Sequence, residues 1–222
     1  MELLAMNEGK RAALTKLIYL KGTLEEADSI ANTLKSKMNI LTLSGVDGTE
    51  ASFKALSGQR KRVIHIGTHG FYDDASHVAD LESALDRSGL FFAGADNKRF
   101  GEEIPADVED GVLTAREIEE LDLRGLDLIT LSACETGNGE VSGDGVFGLQ
   151  RGFKKAGAKS ILMSLWKVND KATCVLMSEF YRNWANGANM HDALEIAKRK
   201  VRETKGWEDP IYWAAFIMLD AF

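Results

Sequence analysis

Two apolar, β-branched runs in the sequence each lead to a side chain that can act in nucleophilic catalysis. The run from Val63 to Gly70 carries His69, and the run from Leu128 to Gly137 carries Cys134. Ligands of α/β proteins bind at the carboxyl ends of parallel strands, so we expect His69 and Cys134 to meet at that edge. An imidazole can take the thiol proton or stabilise the thiolate, and the pair would therefore form a nucleophile and its base.

Cleavage of an amide also needs hydrogen-bond donors for the charge that develops on the carbonyl oxygen. Gly70 follows His69, and its N–H can approach a substrate carbonyl because no side chain intervenes. The Cys134 N–H is the second candidate, by analogy with nucleophiles that donate their own amide. A cysteine at a strand end is otherwise usually a small apolar side chain, so the pair of residues carries more weight than either alone.

Size and composition restrict the class of protein. The chain has 222 residues, of which 45% are apolar and 27% are charged, and this suits one α/β domain. A net charge of −7 argues weakly against nucleic acid as a partner. The sequence contains neither a run of about 20 apolar residues nor a signal-peptide pattern. We therefore expect a cytoplasmic protein that does not contact membranes.

The cysteine and histidine content bears on compartment and cofactors. Two cysteines, Cys134 and Cys174, are too few for a disulfide framework in a chain of this length, which favours a reducing compartment. The histidines and cysteines lack the spacing of zinc ligands, so we expect no metal and no cofactor. His65, in mid-strand, and Cys174, in an apolar helical pattern, are interpreted as core residues.

Strand-like runs alternate with helical patterns, which predicts a mostly parallel sheet with helices on both faces. Thr23 with Glu26, and Thr114 with Glu117, have capping-box spacing and are expected to open helices. Residues 71–111 lack periodicity and are expected to form loops over the strand ends. Further predicted strands are 38–43, 159–166 and 212–219, and further predicted helices are 49–56, 146–156, 170–184 and 191–203.

Six short motifs, in order along the chain, resemble those of the CHAT domain family. They are 66–71, 110–115, 131–137, 143–151, 164–170 and 212–216. The resemblance implies a caspase-like α/β fold, a three-layer sandwich with a mostly parallel central sheet and helices on both faces. It also implies a lead-in or linker at residues 1–22, followed by a CHAT peptidase domain at residues 23–222.

On the family pattern, His69 matches the catalytic histidine and Cys134 matches the nucleophile. The amides of Gly70 and Cys134 are the implied oxyanion donors. Asp170 matches an acidic residue that holds a substrate arginine in the related separases, which implies cleavage after a basic residue. The carboxylate of Asp170 could equally cap the following helix, and sequence alone leaves both roles open.

Three other residues beside these motifs are candidates for substrate binding. Asp144 either lines the pocket or caps the next helix, and we favour the cap. Glu135 directly follows the nucleophile and lies either in solvent or at the pocket rim. Trp166 forms either an apolar wall of the pocket or part of the core.

The sequence thus predicts a cysteine endopeptidase that cleaves a protein or peptide after Arg or Lys. Self-cleavage at Arg87, Lys98 or Arg99 is an additional hypothesis. CHAT domains often accompany tetratricopeptide repeats in bacterial proteins, so a repeat segment or a regulatory protein is an expected partner. One alternative is a catalytically silent caspase-like interaction or signalling module. Another is a thiol hydrolase of small esters or amides on a flavodoxin-like sheet, although a histidine that precedes the cysteine fits the caspase-like order better.

Overall fold

The computed structural model describes residues 16–17, 20–72, 81–132, 143–166 and 168–220. The strands within these ranges are β1 (Val63–Ile66), β2 (Gly70–Tyr72), β3 (Ser88–Phe91), β4 (Val112–Thr114), β5 (Leu128–Leu131), β6 (Ser160–Ser164) and β7 (Phe216–Asp220). The α-helices are α1 (Lys21–Leu34), α2 (Glu50–Lys54), α3 (Leu81–Asp86), α4 (Ala95–Arg99), α5 (Ala115–Glu119), α6 (Gly143–Ala156), α7 (Asp170–Ala185) and α8 (Met190–Arg202). Short 3-10 turns are Gly45–Asp47 and Pro210–Tyr212.

The central sheet has the strand order β1-β5-β6-β7. Strands β1, β5 and β6 run parallel, with Ile66 opposite Leu131 and Leu131 opposite Met163. Strand β7 runs antiparallel to β6 at one side of the sheet. The prediction of a mixed α/β fold with a mostly parallel sheet is therefore confirmed. Every residue of β5 and β6 is buried, which explains their continuous apolar sequence.

Neighbouring side chains of the central strands point into two hydrophobic cores on opposite faces of the sheet. Ile129 and Ile161 join the core that is formed with α2, α5 and α6. Leu128 and Leu162 join the core that is formed with α1, α7 and α8. Helices consequently pack on both faces of the sheet. No helix among the described residues has the length and apolar composition needed to cross a bilayer.

A second sheet lies within the segment that we expected to form loops. Strands β2, β3 and β4 pair antiparallel in that order. Phe71 stacks on Phe91 with ring centroids 4.8 Å apart, and Leu90 and Leu113 are fully buried. The expectation of loops throughout 71–111 is therefore wrong. Strands of three or four residues that depend on packing with distant residues leave little pattern in the local sequence.

The N-terminal part of the described chain also differs from expectation. Helix α1 begins at Lys21 and has no side-chain cap. The Thr23 hydroxyl donates a hydrogen bond to the Leu20 carbonyl at 2.7 Å, and Glu26 is buried in the core. The predicted capping box is thus absent. Residues 38–43, expected to form a strand, form no ladder with any described residue.

The later helices follow the sequence prediction closely. Thr114 and Glu117 form the predicted capping box at the start of α5, with both reciprocal hydrogen bonds present. Helix α6 begins at Gly143, three residues earlier than predicted, and helix α8 begins and ends within one residue of its prediction. The helical patterns were strongest in these segments because each has one continuous buried face.

Candidate functional site

The register of β1 and β5 determines where the two candidate catalytic residues leave the sheet. Ile66 is paired with Leu131 at the last position of the ladder. His69 lies three residues beyond Ile66, and Cys134 lies three residues beyond Leu131 in the sequence. Cys134 and Glu135 fall outside the described residues. The described ends of both strands lie side by side at the carboxyl edge.

The backbone on either side of His69 is held by β3. The Phe91 N–H donates to the His69 carbonyl at 2.9 Å, and the Thr68 hydroxyl donates to the Phe91 carbonyl. His69 therefore stands at the junction between the central sheet and the small antiparallel sheet. His69 is also among the residues that line a cavity beside β1.

The amide of Gly70 points away from β3. His69 and Phe91 form a hydrogen-bonded pair, and hydrogen-bonded and non-bonded pairs alternate along an antiparallel ladder. Gly70, paired with Leu90, consequently directs its N–H to the side of β2 that has no partner strand among the described residues. A Cβ at Gly70 would lie 3.6 Å from the Gly89 carbonyl oxygen and 3.9 Å from Leu90 Cδ2, which are ordinary contacts. Its described neighbours therefore do not require glycine at this position.

The residues directly after β1 and β5 are tightly packed. The Ser132 N–H donates to the Ile66 carbonyl at 3.0 Å, which continues the β1–β5 ladder. A Cβ at Gly67 would lie 3.0 Å from Thr23 Cβ and 3.4 Å from Ser132 Oγ, so glycine is needed for α1 to approach the sheet. The buried Ser132 hydroxyl has no hydrogen-bond partner among the described residues.

Asp170 lies near this edge, at the first position of α7. The helix cap is Asn169, whose Oδ1 accepts from the N–H groups of Lys171 and Ala172 at 3.1 and 3.2 Å. The exposed Asp170 side chain packs against Gly22, where a Cβ would lie 2.5 Å from Asp170 Cβ and 2.9 Å from Oδ2. Gly22 thus allows α1 to pack beside this carboxylate. Sequence reasoning missed Gly22, because only the contact with a distant residue explains it.

The remaining pocket candidates are only partly defined. Trp166 is half-buried, packs against the core formed with α1, α7 and α8, and donates its indole N–H to the Ile211 carbonyl at 3.3 Å. Asp144 is the second residue of α6, and its side chain is outside the described atoms. The structure therefore brings His69, Gly70 and Asp170 to one edge region, and leaves Glu135 and Asp144 undefined.

His65 belongs to a polar network in the sheet, which agrees with its interpretation as a partnered core residue. Its Nδ1 lies 3.2 Å from the Tyr181 hydroxyl, which lies 2.8 Å from Thr130 Oγ1. Its Nε2 lies 2.9 Å from Glu26 Oε1, although the contact is not aligned as a hydrogen bond. Burial raises the pKa of Tyr181, so the phenol stays protonated.

Cys174 is unlike a catalytic thiol. It lies within α7 and is half-buried, so it is less enclosed than a fully buried core residue. Burial raises the pKa of its thiol, and the negative charge of Glu26 raises it further. A thiol with a raised pKa is mostly protonated at neutral pH and is a poor nucleophile.

Three carboxylates that could surround a cation occur at Glu50, Glu109 and Glu117. The Lys54 ammonium occupies this position, with distances of 2.7, 2.7 and 3.0 Å to the three groups. Burial alone would lower the pKa of Lys54, but hydrogen bonds to these carboxylates hold it above its ordinary value. Glu50 also accepts the Gly111 N–H at 2.8 Å, so the cluster ties α2 to the segment before β4.

Comparison with known proteins shows the family to which this chain belongs. The chain matches the CHAT domain over residues 4–221. It is 32% identical over 198 residues to human Tetratricopeptide repeat protein 28, a match that covers 89% of this chain and 7% of that protein. The mouse protein of the same name is 35% identical over 109 residues, which cover 49% of this chain and 4% of that protein. The chain thus spans a small part of these relatives, and it belongs to the CHAT domain family.

Proposed function

We propose that this chain is a cysteine endopeptidase with a caspase-like layered fold, in which His69 activates Cys134. The observation that supports it most is the pairing of Ile66 with Leu131. Neighbouring strands lie about 4.8 Å apart, so residues three positions beyond a shared register can approach within hydrogen-bond distance. Membership of the CHAT domain family supports the same pair of residues.

The proposed reaction proceeds in two steps. His69 takes the thiol proton of Cys134, and the thiolate attacks the carbonyl carbon of the scissile amide. The C–N bond breaks, the amine leaves with the proton from His69, and a thioester to Cys134 remains. Water, deprotonated by His69, then attacks the thioester, releases the carboxylic acid and restores the thiol.

Backbone amides are proposed to stabilise the oxyanion in both steps. The Gly70 N–H points away from β3, and glycine has no side chain of its own to hinder a substrate carbonyl there. The Cys134 N–H is the second donor in this proposal. Preorganised amides of this kind contribute about a hundredfold or more to turnover in other acyl-transfer enzymes.

Asp170 is the proposed determinant of cleavage after Arg or Lys. Its carboxylate is exposed and is not used in the helix cap, because Asn169 has that role. A carboxylate can pair with a guanidinium through two parallel hydrogen bonds. Trp166 would contact the aliphatic part of the basic side chain, and Glu135 and Asp144 are proposed to line the same pocket.

Peptide cleavage tests the proposal. We expect fluorogenic peptides with Arg or Lys before the cleaved bond to be turned over, and those with Asp or Ala to be turned over far more slowly. Cys134→Ala should lower turnover at least about a thousandfold. Cys174→Ala is the matched control and should stay within about twofold of the wild type. Asp170→Asn should lower kcat/KM for the Arg peptide much more than for the Ala peptide.

The same assay separates the competing functions. Equal turnover by Cys134→Ala and wild type would exclude Cys134 as the nucleophile. Hydrolysis of small esters without peptide cleavage would favour a different thiol hydrolase. A thiol probe that fails to label Cys134 selectively, even with a partner protein present, would favour a catalytically silent interaction module.

Self-cleavage and regulation remain parts of the proposal. Lys98 and Arg99 lie within α4, and Arg87 directly precedes the buried first residue of β3, so cleavage at any of these sites requires local unfolding. Intact-mass analysis of the wild type and Cys134→Ala tests this. The relatives' name includes tetratricopeptide repeats, which supports a repeat segment or protein as partner. The bacterial and cytoplasmic setting and the boundary at residue 22 stay predictions.

A further inference from the structure

The first turn of α1 lies against both elements that the proposed site combines. Gly22 contacts Asp170 at the start of α7, and Thr23 packs on Gly67, two residues before His69. A Cβ at Gly67 would lie 3.0 Å from Thr23 Cβ, so the helix is in close contact with the backbone that follows β1. The position of α1 therefore bears on the histidine segment and on the proposed specificity residue together.

The Asp170 side chain is held by contact with α1 rather than by hydrogen bonds. No described residue donates a hydrogen bond to its carboxylate. A Cβ at Gly22 would lie 2.8 Å from Asp170 Cγ and 2.9 Å from Oδ2, so the α1 backbone blocks one side of the carboxylate and restricts its rotation. A carboxylate that is restricted in advance loses less side-chain freedom when it pairs with a substrate guanidinium.

Helices α1 and α7 run parallel and side by side from this point. The Gly22–Asp170 contact is followed along both helices by Ser29 and Ser178, whose hydroxyl oxygens lie 2.7 Å apart. The partners advance together along the two helices. A shift of α1 along its axis would consequently move Gly22 relative to the Asp170 carboxylate.

Glu26 opposes such a shift. It lies one turn after Gly22 and is 3% exposed, and its Oε1 is 2.9 Å from His65 Nε2. The imidazole is its one ion-pair partner among the described residues. A buried carboxylate that leaves its partner has nothing to replace its lost hydration. Movement of α1 that separates Glu26 from His65 is therefore unfavourable.

His65 is in turn fixed within the sheet. It is paired with Thr130 in the β1–β5 ladder, and the Tyr181 hydroxyl of α7 lies 3.2 Å from His65 Nδ1 and 2.8 Å from Thr130 Oγ1. The sheet and α7 thus hold the imidazole from two sides. The contact with Glu26 refers the position of α1 to both of them.

We propose that Gly22 and Glu26 are positioning residues for Asp170. Glu26 sets the register of α1 through His65, and Gly22 places the helix backbone against the carboxylate that holds the substrate Arg or Lys. The inference rests on the proposed role of Asp170 in substrate binding. It means that residues of α1, which do not touch the reacting atoms, determine how well the basic side chain is selected.

The ratio of kcat/KM for an Arg peptide to that for the matching Ala peptide tests the proposal. Both values come from one preparation, so the ratio does not depend on the fraction of folded protein. Gly22→Ala forces α1 and Asp170 apart and should lower the ratio at least about fivefold, mainly through a higher KM for the Arg peptide. Glu26→Ala should act similarly. Glu26→Gln, which keeps the size and a polar contact with His65, should stay within about twofold of the wild type.

Exposed Asp28→Asn on the same helix is the control and should leave the ratio unchanged. An unchanged ratio in Gly22→Ala or Glu26→Ala would overturn the proposal. An equal loss with the Arg and Ala peptides would overturn it too, because it would show a general effect on the fold. Selectivity that Asp170→Asn leaves unaltered would instead contradict the role of Asp170 on which the inference rests.

Nuclear magnetic resonance tests the position of α1 without a substrate. The close approach of Gly22 to Asp170 predicts a strong nuclear Overhauser effect between the Gly22 α-protons and the Asp170 β-protons. This signal should lose most of its intensity in Glu26→Ala and keep it in Glu26→Gln. Equal intensity in the wild type and Glu26→Ala would overturn the proposal, even if the chain cleaves no peptide.

Discussion

The central sheet and the small antiparallel sheet contribute to the candidate site in different ways. The central sheet is covered by a hydrophobic core on each face, and it determines where β1 and β5 end in the segments that lead to His69 and Cys134. The small sheet holds the backbone around His69 through Phe91. It depends on a few specific contacts, notably the Lys54 cluster and the close approach of Phe71 to Gly89. We therefore expect single substitutions to damage the small sheet more than the central one.

The largest effect is expected at Lys54, which joins α2 to the segment before β4. Lys54→Met leaves the buried Glu50 carboxylate without its ammonium partner, and should lower the free energy of unfolding by about 3 kcal/mol. Burial already raises the pKa of Glu50, so without Lys54 this carboxyl favours the protonated form. The loss should therefore be greater at pH 8 than at pH 5, as measured by urea unfolding.

The exposed Lys205 provides the control for the loss of one positive charge. Lys205→Met should change the free energy of unfolding by less than about 0.5 kcal/mol at either pH. An equal loss in the two variants would show that the cluster around Lys54 does not anchor the small sheet.

A smaller effect is expected at Gly89 in β3. A Cβ there would overlap the Leu113 carbonyl oxygen and lie 2.6 Å from Phe71 Cε1, so Gly89→Ala should cost about 2 kcal/mol. Gly70→Ala on the neighbouring strand is the matched control and should cost less than about 0.5 kcal/mol. If Gly70 faces the substrate, its variant should nevertheless lower peptide turnover about tenfold. Equal stability losses would contradict the difference between the two glycines.

The loss of a buried hydroxyl beside the central sheet should cost less than Gly89→Ala costs in the small sheet. Tyr181→Phe removes the group that links Thr130 to His65, and should cost about 1 kcal/mol because the apolar packing of the ring remains. Thermal unfolding measures the difference. If Tyr181→Phe lowered the free energy of unfolding more than Gly89→Ala does, the central sheet would be the more sensitive of the two, contrary to our expectation.

The smallest effect is expected at Asp127, at the start of β5. Hydrogen bonds from Lys159 and then Arg62 hold the pKa of Asp127 below its ordinary value, against the effect of burial. A carboxyl with a lowered pKa stabilises the fold above its unfolded value of about 3.9 and loses this contribution as the pH falls. Asp127→Asn should cost under about 1 kcal/mol at pH 7, because its partners are exposed, and progressively less as the pH falls below about 4.

Exposed Asp28→Asn is the control for this pH dependence. In urea unfolding at pH 7 and at pH 3, Asp28→Asn should have the same free energy of unfolding as the wild type. A cost at Asp127 that is as large at pH 3 as at pH 7 would mean that packing, rather than charge, accounts for its effect.

The same contrast explains which parts of the fold could be predicted from the sequence. The strands β1, β5 and β6 were predictable because apolar side chains on both faces leave continuous runs. His69 was predicted to follow the end of β1, and it lies three residues beyond Ile66. The small sheet was not predictable, because its short strands depend on pairing and ring stacking between separate segments.

Contacts between distant residues account for the other differences at the site. Glu26 has the spacing of a capping residue, but it is buried beside His65 instead. Asp170 was equally consistent with a cap or a pocket, and the cap proved to be Asn169. The position of Glu26 is decided by what packs against α1, whereas Asn169 was already a candidate cap from the local sequence.

The pH dependence of Cys134 alkylation by iodoacetamide most directly tests whether His69 activates this thiol. A Cys174→Ala background leaves Cys134 as the single thiol of the chain. The account predicts that the rate reaches half its maximum well below pH 8.5, the region of a free thiol, and that His69→Gln shifts this midpoint upward. The same midpoint, near 8.5, in both proteins would contradict the account.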